Sequence, residues 1–105
     1  MQRPALTVDI ERGTVRFPAA VVARYFPTIE AVVMLIDGAR LRILPVLHAA
    51  NGGCLLKHRN AAGDRVAAAF DVFAANGLAE FQASALPALW SSEESALIVD
   101  LPIIR

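Results

Sequence analysis

Residues 30–46, "EAVVMLIDGARLRILPV", decide the fold class of this 105-residue chain. The first arm, "AVVMLI", is apolar on both faces and β-branched, which is typical of a strand inside a sheet. In the second arm Leu41 and Ile43 are expected to face the core, because they alternate with outward arginines. Asp37-Gly38 between the arms is a strong hairpin pattern. The stretch therefore predicts an antiparallel hairpin, and Pro45 marks its end or an edge.

The residues before this hairpin predict two strands and a short helix. Residues 6–11 and 14–17 alternate apolar and polar side chains on either side of Gly13. Pro18 suits the first turn of a helix, where its missing N–H costs nothing. Pro27 stops that helix after about two turns. Its apolar face is predicted from helical spacing to consist of Val21, Val22, Tyr25 and Phe26.

The second part of the chain is open to two interpretations. Residues 64–77, "DRVAAAFDVFAANG", are either one helix capped by Asp64 or a strand over 65–69 followed by a helix over 70–76. Alanine propensity favours the single helix. The remaining patterns predict a strand at "CLLKHRN", a weak strand at "AEFQAS", a bend at Pro87, a polar turn at "SSEES" and a strand at "ALIVDLPII".

These elements predict one α+β domain over residues 1–105, a sheet-dominated compact barrel or sandwich with two short helices and six to eight strands. A faint internal echo is also present. "RGTVRFPAAVVARYF" and "AGDRVAAAFDVFAANGL" each precede a hairpin, which predicts two similar βαββ halves at residues 5–47 and 54–105.

Composition restricts the partners and the compartment. Hydrophobic residues make up 56% of the chain, so we expect a homo-oligomer or an obligate protein partner to cover part of this surface. Ten Lys and Arg cancel ten Asp and Glu, so no global field favours nucleic acid. A single cysteine excludes an internal disulfide. The longest apolar run is too short to span a membrane, and a cytoplasmic protein is expected.

The pattern "VDIERGTVRFPAAVVARYF" followed by "AVVMLIDGARLRILPV", within residues 6–46, resembles the swapped-hairpin domain of AbrB-type transcriptional regulators and antitoxins, and its doubled version in MraZ. The chain differs in having Thr14 after Gly13, where the family has Arg or Lys, and in lacking a proline at 68–70. The resemblance implies an intertwined dimer or ring that presents arginines to DNA. The expected DNA-binding residues are Arg12, Arg16, Arg40 and Arg42.

Two functions follow as expectations. The first is a small oligomeric DNA-binding transcriptional regulator of the AbrB or MraZ type. The alternative is a non-enzymatic accessory or assembly subunit that docks through an apolar sheet, with Trp90 as a partner anchor because polar residues flank it. Outward arginines on a strand also have a simpler role, since they discourage edge-to-edge aggregation.

No catalytic, metal or cofactor site is predicted. His48, Cys54 and His58 are the only soft ligands, whereas zinc usually takes four in tight pairs. The sequence leaves open whether the three converge. Glu93 and Glu94 lie in a polar turn, where adjacent carboxylates are a solvated face rather than an acid–base pair.

Overall fold

A computed structural model describes residues 6–47 and 53–103. Over these residues the chain forms nine strands and two short helices. The helices are α1 (Ala19–Tyr25) and α2 (Phe70–Ala75). The strands are β1 (Thr7–Glu11), β2 (Thr14–Phe17), β3 (Ala31–Asp37), β4 (Arg40–Val46), β5 (Cys54–Leu55), β6 (Lys57–His58), β7 (Arg65–Ala68), β8 (Gln82–Ser91) and β9 (Ala96–Asp100). The expected sheet-dominated α+β class is confirmed.

The nine strands form one curved sheet in the order β5-β3-β4-β9-β8-β1-β2-β7-β6. Every pairing is antiparallel. The strands at the two ends of this order, β5 and β6, are consecutive in the chain and are separated only by Leu56. The backbone N–H of Leu56 donates to the carbonyl of Glu30 at 2.9 Å. The sheet therefore curls round to a near-barrel, with β4 and β9 across from β2 and β7.

One continuous apolar core fills this near-barrel. The alternation in the strands places Val15, Phe17, Leu41 and Ile43 fully inside. The two helices close the ends, each through one wholly buried side chain, Val21 in α1 and Phe73 in α2. The phenyl rings of Phe17 and Phe26 meet edge to face with centroids 5.5 Å apart.

The hairpin predicted at residues 30–46 is confirmed, with a small change at its turn. Asp37 pairs with Arg40, so the two loop residues are Gly38 and Ala39 rather than Asp37 and Gly38. Gly38 has φ +63°, as a two-residue turn with glycine at its first central position requires.

The single helix favoured for residues 64–77 is wrong. Residues 65–68 form β7, which pairs along its whole length with β2, and the helix begins only at Phe70. Tertiary pairing outweighs alanine's helix propensity because the preference amounts to only tenths of a kcal/mol per residue. Asp64 caps the other helix instead: its Oδ1 accepts from the backbone N–H of Ala19 at 2.8 Å, at the start of α1.

The second part of the chain differs from expectation in two further respects. The predicted weak strand is the longest one, and β8 runs through Pro87 instead of bending there. Nine strands replace the six to eight expected, because β5 and β6 count as two short strands. No helix in the described parts of the chain has the length and apolar character needed to cross a membrane.

Candidate functional site

An open polar groove of about 430 Å³ lies on the outer surface of β8, β1, β2 and β7. Cross-strand pairing places Asp9 beside Arg16, Arg16 beside Val66, and Val66 beside Lys57 of β6. We call this the groove face. Its lining is mostly polar and charged: Asp9, Ile10, Glu11, Thr14, Arg16, Arg59, Val66, Gln82, Ala83 and Ser84.

Arg16 is held in this groove by Asp64. The Arg16 Nη2 donates to the Asp64 Oδ2 at 3.0 Å, and the same carboxylate accepts from Asn60 Nδ2 at 3.1 Å and from the backbone of Ala19. The hydrogen bonds from Asn60, Arg16 and Ala19 lower the pKa of Asp64 below its ordinary value. The Arg16 side chain retains 41% of its exposure although its Nε is buried, so the side chain is held in place and still partly accessible from the groove.

A second basic group borders the same face. Lys57, His58 and Arg59 are consecutive and exposed, and Arg59 lines the groove. The backbone N–H of Arg59 donates to the carbonyl of Asp64 at 2.9 Å, which closes the loop between β6 and β7. Sequence reasoning missed these residues, although the run "KHR" was visible, because the groove that they border forms only when β7 pairs with β2 from a distant part of the chain.

Arg12 lies at the end of the groove face, in the turn between β1 and β2. It adopts φ +47° and Gly13 follows with φ +85°, the pair of positive angles that a tight two-residue hairpin turn uses. Its side chain is 64% exposed and makes a loose ion pair with Glu80, with Nε and Oε2 3.6 Å apart.

Arg40 and Arg42 point outward as predicted, but from β4, across the near-barrel from the groove face. Arg40 Nε lies 3.5 Å from an Asp100 oxygen. Arg42 Nε lies 2.9 Å from Glu94, and its Nη2 lies 3.7 Å from Asp37. The four predicted arginines therefore form two separate pairs, and their role in DNA binding stays a prediction.

The outer surface of β3, β4, β9 and β8 carries exposed apolar side chains. Leu35, Arg42, Ile98 and Leu89 pair in one lateral row across these four strands. We call this surface the leucine face. Leu89 is 71% and Leu35 49% exposed, and a depression of about 350 Å³ lies beside Leu89 and Ile98.

Trp90 borders that depression and is 37% exposed. Its indole stacks on the ring of Tyr25, with centroids 5.4 Å apart and planes within 10° of parallel. The guanidinium carbon of Arg24 lies 5.9 Å from the Tyr25 centroid on α1. One face of the indole is therefore used inside the molecule, and the predicted contact of Trp90 with a partner stays a prediction.

The soft ligands do not form a site in the described residues. No group of three or more His, Cys, Asp or Glu side chains suited to a metal ion occurs in residues 6–47 and 53–103. Cys54 is half-buried, and desolvation raises the pKa of its thiol, which opposes thiolate chemistry. His58 is exposed on β6, and His48 lies outside the described residues.

Comparisons of the chain with protein-family models, with curated proteins and with solved structures give no match. The resemblance to AbrB-type domains therefore rests on the sequence pattern alone, and the candidate site rests on the geometry of the groove face.

Proposed function

We propose that this protein is a DNA-binding regulator that contacts the duplex through its groove face. The observation that carries the proposal is that Arg16 and Arg59, far apart in the chain, line one open groove together with Thr14, Gln82 and Ser84. Guanidinium groups bind phosphates and guanine edges, and hydroxyl and amide side chains supplement such contacts. The groove is open to solvent, so its polar side chains are accessible to a DNA backbone that approaches this surface.

Charge distribution supports this proposal despite the zero net charge of the chain. The cations Arg16, Lys57 and Arg59 lie on the β2, β7 and β6 side of the groove, whereas Asp9 and Glu11 lie on β1. Phosphates would be repelled from the β1 side, so we place the DNA backbone along β7 and β6. Asp9 already has a structural role, because its Oδ1 accepts from the backbone N–H of Ala85 at 2.7 Å.

The strand order supports the doubled swapped-hairpin architecture that the resemblance implies. In this interpretation β1, β2, α1, β3 and β4 form one half, and β5–β6, β7, α2, β8 and β9 form the other. With β5 and β6 counted as one strand, β1 corresponds to β5–β6, β2 to β7, β3 to β8 and β4 to β9. Exchanging these strands in the order β5-β3-β4-β9-β8-β1-β2-β7-β6 gives the same set of neighbouring pairs. Such exchange of strands between equivalent units is the hallmark of hairpin swapping.

The residue register supports the same internal two-fold relation. An axis through the Arg16–Val66 pair exchanges Asp9 with Lys57, since these are the outer partners of that pair. On the leucine face the same axis passes between Arg42 and Ile98, the central pair of the row of four. It exchanges the two ends of that row, Leu35 and Leu89.

Glycine contacts extend this symmetry to the helices. A Cβ on Gly13 would lie 2.9 Å from the Phe70 ring, and one on Gly63 would lie 3.2 Å from the Ala19 side chain. Each glycine thus packs on the first residue of the helix in the other half.

The proposal includes a homo-oligomeric state and a cytoplasmic setting. Affinity for DNA depends on the number of phosphates that are neutralised, and one groove face offers only a few cations. A second copy provides a second groove face, so the two faces of one oligomer can bind separate segments of the same DNA.

Fluorescence anisotropy with a labelled duplex of about 20 base pairs, at about 50 and about 200 mM salt, tests DNA binding. We expect binding that weakens with salt. In the Lys57→Ala/Arg59→Ala variant the slope of log affinity against log salt should fall in magnitude by about 2. Adding Arg16→Ala to this double variant should weaken DNA binding further.

The matched comparison is Arg40→Ala/Arg42→Ala, which removes the same charge from the leucine face. If the groove face is the binding site, the Arg40→Ala/Arg42→Ala variant should bind DNA like the parent. The comparison is made at protein concentrations where variant and parent have the same oligomeric mass. Loss of binding only in this double variant would transfer the site to β4. Absence of binding by the parent at the lower salt concentration would refute the proposal.

A further inference from the structure

The leucine face takes no part in the proposed DNA contact, and its exposed side chains are largely apolar whereas those of the groove face are largely polar and charged. Leu89 is the most exposed large apolar side chain in the described residues. Leu89 and Leu35 lie at the ends of one lateral row, and Ile98 lies between them beside Arg42. Burial of large apolar side chains is favourable, so covering both leucines and Ile98 provides a driving force for association.

Charges beside this apolar row identify the kind of partner. The next row across the same strands pairs Asp37 with Arg40 and Arg40 with Asp100. A nucleic acid would be repelled by these carboxylates, and a strongly charged protein would match only one of the two signs. A surface that carries both signs around an apolar centre is complementary to a rotated copy of itself.

The ion pairs on this surface leave room for such a copy. Arg40 and Asp100 keep 51% and 79% of their side-chain exposure, and their closest atoms are 3.5 Å apart. Exposed pairs of this kind contribute little within one chain. In a two-fold interface the Arg40 of each copy can approach the Asp100 of the other, in a setting from which water is excluded.

We infer that the leucine face is the self-association surface, where two copies of this chain pack back to back as an isologous dimer. Leu35, Leu89 and Ile98 form the apolar centre, and Arg40 and Asp100 set the register. The groove faces then point outward on opposite sides of the dimer. The inference rests on the homo-oligomeric part of the proposed function and not on its DNA-binding part.

Sedimentation equilibrium of the purified full chain without DNA tests the inference. The parent should show twice the 11.2 kDa mass of the chain at tens of micromolar. Leu89→Asp should raise the dissociation constant of the dimer by at least about tenfold. The matched control is Leu47→Asp, since Leu47 is 63% exposed but lies outside the leucine face, and its mass should equal that of the parent.

A charge exchange separates interface loss from misfolding. Arg40→Asp and Asp100→Arg should each weaken the dimer, and the double variant should restore it, which general unfolding cannot do. A monomeric parent, an unchanged mass for Leu89→Asp, or equal loss with Leu47→Asp overturns the inference. A parent that is monomeric alone and pairs only with a different protein overturns it as well. Because no DNA is present, each of these outcomes is independent of the binding measurement.

Discussion

Gly13 is the residue whose replacement tests the local packing most directly. Its φ of +85° is costly for any other residue, and the backbone and ring of Phe70 occupy the space that a side chain would need, with Cα at 3.1 Å. We expect Gly13→Ala to lower the free energy of unfolding by about 2–3 kcal/mol. Gly77→Ala is the control, since Gly77 also has positive φ but a Cβ there meets nothing within 4 Å; it should cost about 1 kcal/mol. Urea denaturation of both variants measures the difference, and equal losses would show that the contact with Phe70 is unimportant.

Asp64 predicts a pH dependence of stability. Its pKa is lowered in the folded protein, so its contribution is complete above the ordinary aspartate pKa of about 3.9 and is lost as the pH falls through the folded value. We expect Asp64→Asn to reduce the stability at neutral pH and to flatten this acid limb. The measurement is the free energy of unfolding at a series of pH values. A parent-like acid limb in Asp64→Asn would contradict the assignment.

At the scale of elements, Arg65 holds the closure of the sheet. Its Nη1 donates to the Ile29 carbonyl at 2.9 Å and its Nη2 to the Leu56 carbonyl at 2.7 Å, so one planar guanidinium on β7 reaches the segment before β3 and the joint between β5 and β6. Lysine cannot make both bonds in this geometry. Arg65→Lys should therefore lower the free energy of unfolding by about 1–3 kcal/mol.

Hydrogen exchange locates the effect of that substitution. The amide of Leu56, bonded to Glu30, should lose protection first in Arg65→Lys. Arg24→Lys serves as the control, because Arg24 is exposed on α1, and it should change stability by less than about 0.5 kcal/mol. Unchanged protection of Leu56 in Arg65→Lys would argue against a closing role.

At the scale of the whole molecule, the pairings β1–β8, β2–β7, β4–β9 and β3–β5 all join residues before 48 to residues after 52. Separate fragments 1–50 and 51–105 should therefore lack a cooperative thermal transition, and an equimolar mixture should regain one. Circular dichroism and the mass of the mixture check this. A fragment that melts cooperatively by itself as a monomer would contradict the prediction.

The same fragments test the proposed two-fold relation. If 1–50 paired with itself in the native manner, Arg16 would oppose a second Arg16 instead of Val66, and Arg42 would oppose a second Arg42 instead of Ile98. Like charges directly opposite each other on neighbouring strands are destabilising. We expect the mixture to form 1:1 pairs in preference to homodimers of 1–50, and native mass spectrometry distinguishes the two.

The sequence by itself determined the local alternation and the turns. Leu41 and Ile43 point inward and Arg40 and Arg42 outward because strand geometry alone imposes a period of two, and Gly38 marks the hairpin because few residues tolerate positive φ. Only the tertiary structure decided that residues 65–68 are a strand. Pairing with β2 supplies backbone hydrogen bonds that outweigh alanine's small helix preference.

Tertiary structure alone also assembled the candidate site. Arg16 and Arg59 are 43 positions apart and Asp64 is 48 from Arg16, and no periodicity along the chain relates residues that meet only through the long-range pairing of β2 with β7. The order of strands in the sheet also separates Arg16 on β2 from Arg40 on β4, which a linear pattern of outward arginines treats as equivalent. Local periodicity is a property of short segments, whereas the proximity of distant side chains depends on the order in which strands pair, and that order follows from burying one shared core.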